Sequence, residues 1–427
     1  MQFQPEFKAS IVATPSTEST IPEIPQSAYL HIPFCRRRCF YCDFPVSVVG
    51  DRKQGEDSGT IVEYVEWLIT EIENTPVWGQ PLSTVFFGGG TPSLLSVSQL
   101  GQILDSLDRR FGIAADAEIS MEMDPGTFDR DHLAGYSHAG INRVSLGVQA
   151  FQDELLADCG RSHRTRDILN AVELISEVGI ENFSLDLISG LPHQTLEQWQ
   201  DSLNQAVALN PAHISSYDLI VEAGTAFSRT YEPGVSPLPT DESSAQMYRM
   251  AVETLTAAGY EHYEVSNYAR SGYQCRHNRV YWENRPCYGF GMGAASYVGG
   301  QRFTRPRTRR EYYAWVQEWQ GSGGVLSIPE TPGDEVLLET LMLGLRLADG
   351  IDIARFTQQF GGDRLRQLWH CLLPYYRQGW VQVHSGAEFP DFGPTLPPSG
   401  AIRLSDPEGF LFSNTILATI FEALEKS

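Results

Sequence analysis

Six short apolar runs, each followed by a stretch of helical period, predict an α/β protein: a partial TIM-type (β/α)6 barrel with a small C-terminal helical, winged-helix-like domain. The 427-residue chain, 42% hydrophobic, can bury a substantial core. Residues 29–32, 84–87, 118–123, 143–148, 182–188 and 213–219 read as strands. Between them, 61–73, 99–110, 166–177 and 196–209 carry apolar residues at three- and four-residue steps, the mark of helices with one buried face. Such alternation gives parallel strands with helices outside, and ligands gather at the strand C-terminal ends. The polar, Gly-containing interval 49–60 reads as a loop able to fold over that face.

The remaining segments divide by composition. Residues 1–26 mix Ser, Thr, Pro and Glu without period and read as a tail that cannot offset its ordering entropy. The barrel occupies 27–225; a Gly-, Arg- and aromatic-rich extension over 226–332 closes its mouth; 333–427 forms the helical domain, with the Pro-rich stretch 389–400 as an exposed loop within it. A helix-turn-helix can mean DNA, but a net charge of −22, from 31 basic and 53 acidic side chains, opposes contact with phosphates. Nucleic acid is therefore not an expected partner, and a packing or partner-docking role suits this domain better. No apolar run reaches the roughly 20 residues of a membrane span, and no signal peptide is apparent, so the expected location is the cytoplasm.

Seven cysteines, three of them within eight residues, make a poor disulfide framework and a good metal site. Cys35, Cys39 and Cys42 follow the first strand directly, in the first loop of the barrel's C-terminal face. Three thiolates can bind three irons of a 4Fe-4S cubane, leaving the fourth iron to chelate S-adenosylmethionine and pass an electron to its sulfonium. The rival is a zinc-stabilised binding module, for which His31 is the only nearby fourth ligand. The Cys-x3-Cys-x2-Cys spacing matches the radical S-adenosylmethionine (radical SAM) superfamily. Downstream, Gly88-Gly89-Gly90-Thr91-Pro92 ends the second strand, where backbone amides can approach a ligand. Glu122 and Asp124 end the third strand, Gln149 the fourth and Asp186 the fifth, each a polar group at the mouth of an apolar strand.

The strings YLHIPFC, FFGGGTPSLL, AEISMEMDPGTF, NRVSLGVQAF, LDLISGLPHQT and YEVSNYARSGYQCRHNRVYW carry a closer resemblance. From about residue 27 onward the chain resembles the family of oxygen-independent coproporphyrinogen III oxidases and their heme chaperone relatives. The resemblance implies that Tyr29, Gly89, Glu122, Gln149, Arg161 and Asp186 contact S-adenosylmethionine, with Gly90 and Thr91 beside them and Tyr41 against its nucleoside. It leaves open whether one or two molecules bind. The oxidases have a further cysteine two residues after the third, where this sequence has Phe44. The string Cys275-Arg276-His277-Asn278-Arg279-Val280-Tyr281-Trp282 matches the His-Asn-x-x-Tyr-Trp motif of the chaperone branch. An imidazole can ligate heme iron, which makes His277 the heme-ligand candidate, with Cys275, His31 and His262 as alternatives.

The resemblance thus implies a protein that binds heme and passes it to acceptor proteins, holding a 4Fe-4S cluster and S-adenosylmethionine and drawing on an electron donor. The enzyme alternative is oxidative decarboxylation of coproporphyrinogen III to protoporphyrinogen, an activity that Phe44 argues against.

Overall fold

The computed structural model describes residues 24–51, 54–325, 331–385 and 396–425. The tail expected at 1–26 lies, up to residue 23, outside the described residues, as does the expected Pro-rich loop from 389 to 395.

All six expected strands form: β1 (Ser27–Ile32), β2 (Leu82–Gly89), β3 (Ile113–Met123), β4 (Arg143–Gln149), β5 (Phe183–Ser189) and β6 (His213–Asp218). They pair in parallel in chain order, from Tyr29 opposite Phe86 on one side to Asp186 opposite Ser215 on the other. Parallel pairing needs crossovers, and helices α1 (Gly59–Asn74), α2 (Val97–Phe111), α3 (Arg130–His138), α4 (Thr165–Val178) and α5 (Leu196–Ala208) supply them. Local sequence fixes their ends. Ser96 with Gln99, and Thr195 with Gln198, form capping boxes, while Gly179 adopts the left-handed conformation after α4.

The sheet is wider than the sequence showed. Helix α6 (Asp241–Ala257) is followed by β7 (Glu261–Glu264) and β8 (Asn267–Ala269), then by α7 (Arg276–Trp282) and β9 (Tyr288–Phe290). The order is β9-β1-β2-β3-β4-β5-β6-β8-β7, nine strands, with β9 parallel to β1 and the β7/β8 hairpin antiparallel beyond β6. The three additions are only three or four residues long, too short to show a period, and they pair because β1 and β6 would otherwise present open edges. Trp199, fully buried on α5, donates its indole N–H to the Met247 carbonyl at 2.8 Å and so ties α5 to α6.

At the described ends of the interval expected to fold over this face, Val49 N–H donates to the Cys35 carbonyl and Gln54 is held by hydrogen bonds. Residues Ser47–Val48 pair with Phe34–Cys35, and Gln54 donates to the Thr127 carbonyl at 3.2 Å and accepts from Arg36. The C-terminal region is helical as expected, with helices at Gly333–Gly344, Ile353–Arg377, which is broken at Gly361 where φ is +86°, and Ser413–Glu425. It also holds a three-stranded antiparallel sheet in the order Ile351–Asp352, Ala401–Leu404, Val381–His384, for which the sequence reading named no strands. Phe410, buried, meets the His262 ring edge-on at 5.2 Å, and Asp406 stands 2.9 Å from His262 Nδ1. These contacts join the region to β7.

Candidate cluster and cofactor site

The C-terminal ends of β1 to β6 open into one cavity of about 510 Å³. Cys35, Cys39, Cys42, Tyr29, Tyr41, Gly89, Gly90, Thr91, Glu122, Gln149, Arg161, Asp186 and His277 all line it. These residues span nearly 250 positions of sequence, and parallel strand register is what brings them to one face.

The cysteine loop is anchored on both flanks. Val49 N–H donates to the Cys35 carbonyl at 3.0 Å, Cys42 N–H to the Cys39 carbonyl at 3.2 Å, and Phe40 N–H to the Cys159 carbonyl at 3.0 Å. The three cysteine residues are partly exposed and free of disulfides. Burial, then the charge of Asp124, pushes the Cys35 thiol up to about 12, while Arg161 Nη1 approaches Cys39 Sγ at 3.5 Å. Three unlinked thiols in one cavity, with a guanidinium against one of them, suit a polynuclear iron–sulfur group whose ligands must be thiolates. Among the described residues no three His, Cys, Asp or Glu side chains converge as ligands of a single ion. His31, the fourth ligand that a zinc site would need, has Nδ1 3.1 Å from the Tyr29 hydroxyl and Nε2 3.1 Å from the Pro45 carbonyl oxygen.

The glycine run departs from expectation. Its amides, expected to reach a ligand, donate within the protein: Gly89 N–H to Glu122 Oε2 at 2.9 Å, Gly90 N–H to the Ile32 carbonyl at 2.9 Å, Thr91 N–H to the Phe34 carbonyl at 2.7 Å. The glycines are required by crowding. A Cβ on Gly89, whose φ is +111°, would lie 2.5 Å from the His31 ring, and one on Gly90 would lie 2.7 Å from the Phe34 carbonyl oxygen and 3.0 Å from Cys35 Sγ. The run therefore brings β2 against the cysteine loop.

Across the cavity, Asp124 binds Arg161 through one carboxylate oxygen and accepts from Thr91 Oγ1 at 3.1 Å through the other. Arg161, almost fully buried, also donates to the Gly147 carbonyl at 2.9 Å. Glu122 is raised to about 7 by burial, with Asp186 adding to the shift. Asp186 is itself raised by burial and accepts from Ser145 Oγ at 2.9 Å. Gln149 has φ +68°, at a register shift between Gly147 and Gln149 on β4. Only a backbone held by both neighbours keeps a non-glycine residue there. These donors and acceptors form a polar cradle around the space beside the thiols, suited to a ligand with a cationic amine, a carboxylate and hydroxyls.

His277 lies on the barrel floor. Its ring stacks on Phe86 at 5.1 Å; Nδ1 is 2.8 Å from Thr84 Oγ1 and Nε2 is 3.1 Å from the Tyr281 hydroxyl. Burial, then Arg143, lowers its pKa to about 3, so the imidazole is neutral. Both nitrogens are engaged, and an iron at Nε2 would displace Tyr281, which is 37% exposed and caps the ring. Of the alternatives, Cys275 caps α7, its sulfur accepting from Asn278 N–H at 3.5 Å, and His262 stands beside Asp406, outside the cavity lining.

Sequence reasoning missed Arg143, Ser145, Gly147, Ser215 and Tyr217, all lining the cavity. The signal was present: on β4 the residues 143, 145, 147 and 149 alternate, and a strand's alternate residues share one face. A barrel interior that is polar along one strand face marks a ligand space.

Residues 29–206 match the family described as the radical SAM superfamily, and 332–387 match the HemN C-terminal domain. The heme chaperone HemW of Synechocystis is 49% identical over 94% of this chain and 98% of its own length. That of Bacillus subtilis is 38% identical over 79% and 87%. The solved structure of the Escherichia coli coproporphyrinogen III oxidase HemN, described as a radical SAM enzyme, shares the fold with a TM-score of 0.75. It covers 93% of this chain and 90% of its own at 24% identity.

Proposed function

From the premise that this chain belongs to the HemW family of radical SAM proteins, we propose that it binds heme and delivers it to acceptor proteins, with a 4Fe-4S cluster and S-adenosylmethionine at one site. The observation that carries the reading is that Cys35, Cys39 and Cys42 share one cavity with every residue expected to contact S-adenosylmethionine.

Cys35, Cys39 and Cys42 hold the cluster through their thiolates. When bound, the cluster supplies one electron for cleavage of a sulfonium carbon–sulfur bond in S-adenosylmethionine. The protein's part is positioning. Glu122 accepts the ligand's ammonium, Asp186 and Gln149 hold its ribose, Tyr41 lies against its base, and Arg161 faces its carboxylate while staying tied to Asp124. Tyr29, Gly89, Gly90 and Thr91 complete the wall.

His277 is the proposed iron ligand for the heme cargo, bound after Tyr281 swings away from Nε2. The neutral imidazole favours this, because a protonated one has no lone pair for iron. Titration of hemin into the protein tests it by the Soret band. His277→Ala should lose affinity, whereas Tyr281→Phe, which frees Nε2, should bind at least as well as wild type; equal spectra and affinities in wild type and His277→Ala refute the ligand. Anaerobic assay of the iron-loaded protein with coproporphyrinogen III should give no protoporphyrinogen. Robust turnover would refute the chaperone reading in favour of the oxidase. Iron and acid-labile sulfide together, in place of one zinc per chain, are expected after anaerobic purification.

A further inference from the structure

The chain carries a net charge of −22, yet the loop that bears the three cysteines is edged with guanidinium groups. Arg36, Arg37 and Arg38 are consecutive within it, and Arg307, far away in sequence, reaches its end to donate to the Asp43 carbonyl at 2.8 Å. Arg37 is paired with Asp51 at 2.8 Å. The other three bond to uncharged oxygens: Arg36 to the Gly126 carbonyl and Gln54, Arg38 to the carbonyls of Cys42 and Phe44, Arg307 to Asp43. Among the described residues none of these three forms an ion pair with a carboxylate. An acidic protein therefore places three guanidinium groups without a carboxylate partner around one loop. Phe40, Phe44 and Val48 of the same loop are about half exposed, giving that place apolar contact area as well. Because the three cysteine residues are themselves partly exposed, a group that they hold is close to this face.

We propose that this face is the docking surface for an acidic one-electron donor protein that reduces the cluster, an inference that rests on the cluster reading above. In the step the donor loses one electron and the cluster gains it; no atom is transferred. Charge complementarity selects the occupant. The cations border the cysteine loop itself, where an electron must enter. Exposed charges of opposite sign steer encounter over about a Debye length, roughly 8 Å at physiological salt, and chiefly raise the association rate.

The probe is a flavodoxin, reduced to the hydroquinone and mixed anaerobically with the iron-loaded protein while cluster absorbance is followed. Raising ionic strength from about 20 to 300 mM should slow reduction by roughly tenfold or more. Arg307→Glu, outside the cysteine loop, should slow it about tenfold at low salt while its reduction by dithionite matches wild type. Arg38→Gln, compared at equal iron content, should be slowed too. A second readout needs no cluster: oxidised flavodoxin titrated into the cluster-free chain should bind wild type and bind Arg307→Glu several-fold more weakly. Salt-independent reduction, with Arg307→Glu at the wild-type rate in a protein that holds iron and sulfide, overturns the docking surface alone. Loss of hemin affinity instead of flavodoxin affinity in these variants overturns it as well, since the arginines would then hold heme carboxylates. A wild-type chain without iron and sulfide removes the cluster reading and the proposal together.

Discussion

Glu122 ends β3 with its carboxylate on the Gly89 amide and its pKa raised to about 7 by burial and by Asp186. A cationic ammonium favours the ionised form, so binding S-adenosylmethionine below pH 7 must release a proton from this residue. By linkage its affinity rises with pH from about 5 to 7, by at most tenfold per unit, and levels off near 7. Glu122→Gln removes a charge-assisted bond worth about 2 kcal/mol, roughly a 30-fold loss, and flattens the profile. Calorimetric titrations across that range check both, and a flat wild-type profile would assign the ammonium to another group. That Glu122 lines the cavity was readable from its place at a strand end. Its perturbed ionisation was not, because that depends on Asp186, 64 positions away, being brought beside it.

At the scale of elements, β4 does most to shape the site. Its inward face presents Arg143, Ser145, Gly147 and Gln149 to the cavity, and Gly147 is bare because a Cβ there would meet Asp124 Oδ1 at 3.0 Å and Arg161 at 3.2 Å. The strand then breaks register so that Gln149 stands at φ +68°, a conformation that costs a non-glycine residue about 1 to 2 kcal/mol. Gln149→Gly should therefore be more stable than Gln149→Ala by about 1 kcal/mol in denaturant titration, while both bind S-adenosylmethionine more weakly than wild type. Equal stability of the two variants would mean the backbone relaxes when the amide is lost. On β2, Gly89→Ala should unfold more easily by at least 2 kcal/mol, since the added carbon collides with the His31 ring. The six long strands were legible because buried parallel strands are continuous apolar runs. The three short ones that complete the sheet were not, because three or four residues carry no period and form only where a free edge receives them.

For the molecule as a whole, the question is how the C-terminal region is held to the barrel. Arg249 and Glu408 make a bidentate pair at 2.7 and 2.9 Å, but both side chains are about 40% exposed, so its loss should cost under about 1 kcal/mol. Phe410 is 1% exposed and packs on His262, which stacks on Tyr268 at 4.1 Å. Phe410→Ala should destabilise by about 3 to 5 kcal/mol, and Glu408→Gln hardly at all, in urea denaturation. The reverse order would make the surface pair the principal tie.

The sequence by itself determined the architecture and the candidate site: three cysteines at a fixed spacing after a strand, polar residues at successive strand ends, and alternating strand and helix. Those are local patterns, set by which side chains a short segment can bury or expose. Only the tertiary structure decided how each group is engaged. It turned the amides of the glycine run toward the protein, capped His277 with Tyr281, and set Arg307 beside the cysteine loop. These contacts exist only once the sheet and its helices have assembled.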